Sequence, residues 1–203
     1  MNYKMIQDNI LKIQDQNNKK NLLLHSCCAP CSSHVINYLK DYFNITIYYY
    51  NPNIHPYNEY LKRKEEQIKL INILNKEGHN ISYIDCDYDI EKFFECSKGL
   101  ETEVEGGKRC NKCFYLRLYE TALKAKKKNF SYFGTTLTVS PHKSSKTINE
   151  IGLEIEKELN IKYLVSDFKK EDGYKKSIIL SKKYDLYRQQ YCGCCFAQEK
   201  KAN

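Results

Sequence analysis

The run Asn21-Leu-Leu-Leu-His-Ser26 reads as a buried strand, and Cys27-Cys28-Ala-Pro-Cys31-Ser-Ser33 follows it without a break. A helix is expected from about Ser32 to Phe43, so the cysteines fall in the loop between strand and helix. The pattern then repeats. A second strand at Ile45–Tyr50 runs into the turn-rich Asn51–Pro56 and a long charged helix over about Tyr57–Glu77. Ile81–Asp85 reads as a third strand and Tyr88–Cys96 as a short helix. After Gly106-Gly107 a helix starts near Cys110 and runs past Leu118 to Ala125. Tyr132–Thr135 is a fourth strand, Ser144–Leu159 a helix, Lys162–Val165 a fifth strand and Tyr174–Tyr184 a last helix. Alternation of this kind implies a mainly parallel sheet with helices on both faces.

The 203 residues suit one domain, with residues 1–20 expected as a helical extension and 21–203 as a single α/β unit. Hydrophobic residues make up 41%, including 18 Tyr and 8 Phe, enough for a proper core, so disorder is excluded. No apolar run approaches the roughly 18–20 residues that span a bilayer. The polar, amphipathic start lacks a hydrophobic signal core, so a soluble, cytoplasmic protein is expected. The net charge of +8 favours an anionic partner, nucleic acid above all, although a lysine- and asparagine-rich codon bias accounts for part of the composition. Arginines are few: Arg63, Arg109, Arg117 and Arg188, three of them within a few residues of cysteine motifs. A flat, forked donor for phosphate or carboxylate is one reading, and ordinary helix-surface ion pairs are the other.

Ten cysteines are a heavy load where thiols stay reduced, which favours metal or redox chemistry over a disulfide framework. They group as Cys27, Cys28 and Cys31; as Cys110 and Cys113; and as Cys192, Cys194 and Cys195. Cys86 and Cys96 stand apart among apolar neighbours and read as small core fillers. A helix N-terminus beside Cys27 and Cys28 would stabilise thiolates, the form that binds metal. Cys110 and Cys113, in C-x2-C spacing, would bring two more sulfurs to the same ion or cluster. Four thiolates suit a [4Fe–4S] cluster or tetrahedral zinc equally. Cys192-Gly193-Cys194 allows a strained, readily reduced disulfide or further metal ligands.

Weaker signals remain. His25 reads as a core histidine, and His55 in a rigid proline-bounded loop as a structural or substrate-facing residue. Asp167, after the fifth strand, is either a rim carboxylate or a helix cap. The hydroxyls of Thr135–Ser140 could meet a phosphate or nucleoside, but without a glycine-rich fingerprint. In open α/β sheets ligands bind beyond the carboxyl ends of the strands, so these loops and the three cysteine groups are expected on one rim.

Five stretches in order, LLLHSCCAPCSS (22–33), YYYNPNIHPYNEYLKR (48–63), RCNKCFYLRL (109–118), TALKAKKKNFSYFGTTLTVSPHK (121–143) and YRQQYCGCC (187–195), resemble the QueH family of epoxyqueuosine reductases. The resemblance implies the last step of queuosine synthesis, in which epoxyqueuosine in a tRNA anticodon loop loses its epoxide oxygen. It further implies an iron–sulfur cluster with an additional mononuclear iron, no cobalamin, a tRNA partner and an electron donor that the sequence does not identify. Carried over by position, Cys27, Cys28, Cys110 and Cys113 would hold the [4Fe–4S] cluster, and Cys31 could serve the second iron. Cys192 and Cys194 would be a redox-active pair or further iron ligands. Tyr48, Tyr50 and Tyr191 would be candidates to stack on anticodon-loop bases. The chain departs from the family pattern in Cys195 and in its added N-terminal helix.

The fold also resembles the adenine-nucleotide hydrolase-like, Rossmann-like sheet, with Ser26–Pro30 standing where a glycine-containing phosphate loop would be; nucleotide binding is therefore not implied. Three other readings compete. An adenylyl-sulfate-reductase-like iron–sulfur enzyme lacks its phosphate-gripping loop here. A thioredoxin-like oxidoreductase would leave Cys110, Cys113, Cys192 and Cys194 without a role. A zinc-stabilised, non-enzymatic tRNA-binding module needs the same thiols and no redox chemistry.

Overall fold

The computed structural model describes residues 2–198. Its centre is a five-stranded, all-parallel sheet built from β1 (Lys20–His25), β2 (Phe43–Tyr48), β3 (Ser82–Ile84), β4 (Tyr132–Thr135) and β5 (Lys162–Tyr163). The strand order is β3-β2-β1-β4-β5, so the chain winds outward from β1 in one direction and then returns to wind outward in the other. Among the described residues are eight α-helices: α1 (Tyr3–Lys12), α2 (Ala29–Leu39), α3 (Tyr57–Lys76), α4 (Ile90–Ser97), α5 (Lys108–Lys127), α6 (Ser145–Leu159), α7 (Gly173–Lys183) and α8 (Cys195–Gln198). This is a Rossmann-like α/β domain.

The leucines of β1 explain the layering. Side chains alternate across a strand, so Leu22 and Leu24 enter one core with Val35, Ile36, Leu70 and Leu74, while Leu23 enters the other with Leu118, Ala122, Phe133 and Ile148. All three leucines are fully buried, as expected of a central parallel strand covered on both faces. Helix α1 also belongs to the packed body. Its Leu11 joins the first core, and buried Gln7 accepts a 2.8 Å hydrogen bond from the Asp167 backbone.

The sequence expectations differ from the structure at element ends. Helix α2 begins at Ala29 rather than Ser32, because Pro30 in the first turn is compatible with helix and lacks only an N–H that would be unbonded there. It stops at Leu39, and Phe43, expected to end it, instead opens β2 opposite Lys20. Strand β2 correspondingly ends at Tyr48, two residues short of Tyr50. No described helix is long and apolar enough to cross a membrane.

The reversal of winding lies between β1 and β4, which pair directly through His25 and Thr135. A crevice at the carboxyl ends of the strands opens there. The loop from Ser26 to Cys28 runs along it.

Candidate metal and redox centre

Cys28 leaves β1 in an extended conformation and occupies the N-cap of α2, so the free N–H groups of the first helical turn lie beside the thiols. The sulfurs of Cys27, Cys28 and Cys31 all lie within 4.8 Å of one another, with Cys27 Sγ 3.8 Å from Cys28 Sγ. Cys27 also meets β4's exit loop: its N–H donates to Thr136 Oγ1 at 3.4 Å, and its sulfur is 3.7 Å from the same oxygen. A buried polar network fixes the loop from below. Ser26 and Ser32 hydroxyls touch, and both donate to Gln67 Oε1, at 2.6 and 2.8 Å. Asn51 Nδ2 holds the Ser26 carbonyl at 2.7 Å.

Three thiols this close cannot ionise independently. Hydrogen bonds from Cys28 and Cys31 hold the Cys27 thiol well below its ordinary pKa, with Lys143 adding to the effect. That hydrogen bond to Cys27, together with burial, pushes Cys28 up to about 12, and Cys31 rises for the same reasons. The trio therefore carries one thiolate readily and the next ones reluctantly, a donor set poised for a cation.

The second group starts α5. Arg109 Nη1 donates to the carbonyls of Leu100, Glu101 and Glu103 at 3.1, 2.8 and 2.7 Å, tying down the loop before the helix. Cys110 Sγ accepts from the Gly106 N–H at 3.2 Å, and Cys113 one turn on is buried. Burial pushes the Cys113 thiol up to about 12. The third group arrives from the far end of the chain. Arg63 donates to the Cys192 carbonyl at 3.1 Å and to the Tyr191 carbonyl at 3.3 Å, while its Nε pairs with Glu59 at 2.7 Å. His55 N–H donates to the Gly193 carbonyl at 2.8 Å. Gly193 has a φ of +98°, and a Cβ there would lie 2.9 Å from Arg63, so glycine is required on both counts. Cys194, on the inner side, is buried and its thiol is pushed up to about 11 by that burial.

Two cavities share the walls formed by Glu105, Arg117, His142, Lys143 and Cys192. One, of about 680 Å³, is lined by Cys27, Cys31 and Cys192 and opens past Arg188 and Tyr191. The other is a narrow cleft holding Cys110, Cys113, Cys192 and Cys194. Sulfur dominates the donors, joined by His142 and Glu105 on the shared wall, and the sulfurs grouped within 4.8 Å of one another among the described residues are those of Cys27, Cys28 and Cys31. Thiolate-rich sets suit iron–sulfur clusters or zinc and disfavour hard cations, so the residues fit the metal chemistry expected of them. Burial opposes the charge of Lys143, but Cys192, Cys27 and Cys31 more than offset it and hold its ammonium above the usual value.

Several sequence expectations change. Tyr48 and Tyr50 are buried and stacked on each other, with centroids 5.9 Å apart, because β2 and its exit lie inside the second core; they offer no free face to a base. Tyr191 does line the larger cavity. Asp167 lies away from the cysteine rim, in a separate cavity of about 1060 Å³ beneath α1, and no helix begins on it. The Thr135–Ser140 hydroxyls are mostly committed internally, Thr135 to His25 and Thr138 to Ser166, leaving Ser140 on the cavity wall. His25 is a fully buried strut between Thr135 and the Tyr50 carbonyl. His55 contributes its backbone to the Gly193 contact but does not line either cysteine cavity, whereas its neighbours Asn53 and Ile54 line the larger one. Cys86 is half-buried and donates to the Tyr49 carbonyl. Cys96 is less isolated than its position suggests, packing with Phe93 beside Cys113 and Cys194. Cys195 opens α8 next to the same cluster. Asn53 escaped the sequence reading: it is 1% exposed, yet its Oδ1 has no partner among the described residues.

A family model described as epoxyqueuosine reductase QueH matches residues 22–200. Over most of its length the chain is similar to proteins named epoxyqueuosine reductase QueH. One from Streptococcus pyogenes serotype M1 is 41% identical over 97% of this chain and 78% of its own. One from Staphylococcus epidermidis is 43% identical over 98% and 86%. One from Thermotoga maritima is 36% identical over 87% and 89%. With a match that spans all three cysteine groups and the loops that gather them, the chain belongs to the QueH family.

Proposed function

We propose that the protein is an epoxyqueuosine reductase acting on tRNA in the cytoplasm, removing the epoxide oxygen of epoxyqueuosine in the anticodon loop as water to leave queuosine. The observation that carries this reading is the gathering of thiols from three distant segments around two adjoining cavities, in a chain of the QueH family. The proposed ligands of a [4Fe–4S] cluster are Cys27, Cys28, Cys110 and Cys113. Cys31 is the proposed ligand of an additional iron, and its sharing of one cavity wall with Cys192 supports that role. Cobalamin has no part in the proposal.

Deoxygenation of an epoxide to an alkene consumes two electrons and two protons and releases one water. An iron–sulfur centre, when bound, supplies electrons one at a time and a Lewis-acidic iron. The remaining work falls to the chain. Cys192 and Cys194 can furnish two electrons by closing a disulfide, with Gly193 permitting the tight bend, or can hold the additional iron as thiolates. The Ser26–Ser32–Gln67 network keeps the first trio in place, and Arg63 keeps the tail over the cavity. Arg188 and Tyr191, which line the larger cavity, are the proposed contacts to phosphate and base.

Anaerobic reconstitution tests the reading. The wild-type chain should bind iron and acid-labile sulfide and show broad sulfide-to-iron absorption, while Cys110→Ala and Cys113→Ala should each lose most of that chromophore. Zinc alone in the wild type, or full iron and sulfide in both variants, would contradict the assignment.

A further inference from the structure

Arg117 is among the largest fully buried side chains of the protein, at 2% exposure, and no ion pair among the described residues includes it. Its neighbour in kind, Arg63, is equally buried but has Glu59 at 2.7 Å. Arg117 has only neutral acceptors, and long ones: Cys113 carbonyl at 3.3 Å from Nε and Asn51 Oδ1 at 3.4 Å from Nη1. Its Nη2 is buried and has no hydrogen-bond partner among the described residues. Glu105 lines the same cavities but is exposed and makes no ion pair with it. A guanidinium cannot shed its proton to escape burial, and a buried, uncompensated cation is strongly unfavourable. Something anionic belongs against it.

What surrounds it is sulfur. Arg117 lines both cysteine cavities, and the thiols of Cys113, Cys192, Cys27 and Cys110 are the groups that most favour its charge, with His25, Lys143 and Cys96 also within its electrostatic reach. The favouring thiols come from all three cysteine groups, so the guanidinium stands at the point where they converge. Metal-bound thiolates and the sulfides of a cluster are anionic and accept hydrogen bonds, and such bonds are among the main determinants of a cluster's potential.

We infer that Arg117 is the internal countercharge of the metal–thiolate assembly, its Nη2 donating to a sulfur there and favouring the more negative, reduced state. It acts through the sulfurs, as a tuning residue, and the inference rests on the reading of these cysteines as a metal centre. Lys143 shares the wall but is half-buried and long-tethered, so it lacks the fixed fork that Arg117 aims inward.

The test compares wild type, Arg117→Met and Arg117→Lys as full chains reconstituted with iron and sulfide, each titrated by EPR-monitored reductive titration. Losing the countercharge should make the centre harder to reduce. At a fixed ambient potential the reduced-to-oxidised ratio should drop at least about ten-fold in Arg117→Met, which is about 59 mV for one electron. Arg117→Lys, keeping charge without the fork, should recover part of the shift. Chelator-driven loss of iron should be faster in Arg117→Met than in wild type. A strut that merely fills space would leave the potential alone, so an unchanged potential in both variants overturns the inference. Should Arg117→Met fail to load, Arg117→Gln, which is neutral but polar, takes its place, and a wild-type potential there is again contrary. A wild-type chain that takes up no iron and sulfide overturns the metal reading itself, an outcome distinct from either.

Discussion

Arg63 ties together elements that are distant in sequence: Glu59 one turn before it on α3, and the Tyr191 and Cys192 carbonyls at the other end of the chain. Removing it strands Glu59 in a poorly solvated place and unhooks the tail. Arg63→Met should cost about 3 kcal/mol in a urea melt, as expected for breaking a buried pair, and should expose Cys192 to faster alkylation. Arg63→Lys keeps the charge but cannot span two carbonyls, so its alkylation rate should fall between; a wild-type rate would show that charge alone holds the tail. At this scale the sequence was legible where chemistry repeats in short spacing. The C-C-x2-C and C-x2-C groups announce themselves, and so does C-G-C. Asn53 and Arg117 do not, because an unpartnered atom is a property of the surroundings and leaves no mark on neighbouring letters. The excess of lysine gave the only hint, since three of the four arginines, Arg63, Arg109 and Arg117, turn out to be buried.

Between elements, α2 packs against α7, and His34 of α2 lies in that seam at 7% exposure. Burial, aided by Lys176 of α7, brings its pKa down to about 4. The unfolded chain binds a proton near pH 6.5 while the native state stays neutral, so stability should be flat above that value and fall as pH drops from about 6.5 toward 4, by up to about 1.4 kcal/mol per unit. His34→Gln should flatten that limb in urea midpoints taken from pH 5 to 8, and equal slopes in the two proteins would contradict it. On the other face, a Cβ on Gly152 of α6 would meet the Tyr163 ring of β5 at 2.3 Å. Gly152→Ala should therefore destabilise by about 1–3 kcal/mol through overpacking, again read in a urea melt. Strand and helix alternation was readable because each element carries its own periodicity. The ends were not: Phe43 is as apolar at the close of a helix as at the start of a strand, and only its pairing with Lys20 decides. Asp167 was misplaced for a related reason, since which cavity a strand-end residue faces depends on α1 packing beneath it.

For the whole molecule, the sheet order places the start of α2, the start of α5 and the tail on one rim, and no local stretch contains that information. The rule that ligands bind at the reversal of a doubly wound sheet supplied it in advance, which is why the convergence of the cysteine loops was legible while their division between the two cavities was not. The net charge of +8 belongs to this scale too. Affinity for tRNA should fall by about ten-fold or more between roughly 50 and 200 mM salt, because counterions released from phosphates must be recaptured, and a salt-independent affinity in filter binding would count against a phosphate-dominated interface. The central claim is that these converging thiols form one reducing centre for a tRNA nucleoside. The most direct measurement incubates the iron- and sulfide-loaded chain anaerobically with epoxyqueuosine tRNA and a chemical reductant, without cobalamin, and reads the nucleosides by mass spectrometry. Wild type should convert epoxyqueuosine to queuosine over many turnovers, while Cys192→Ser/Cys194→Ser should bind the tRNA and yield none over many turnovers. Undiminished epoxyqueuosine with the loaded wild type, or wild-type turnover by the double variant, would contradict the account.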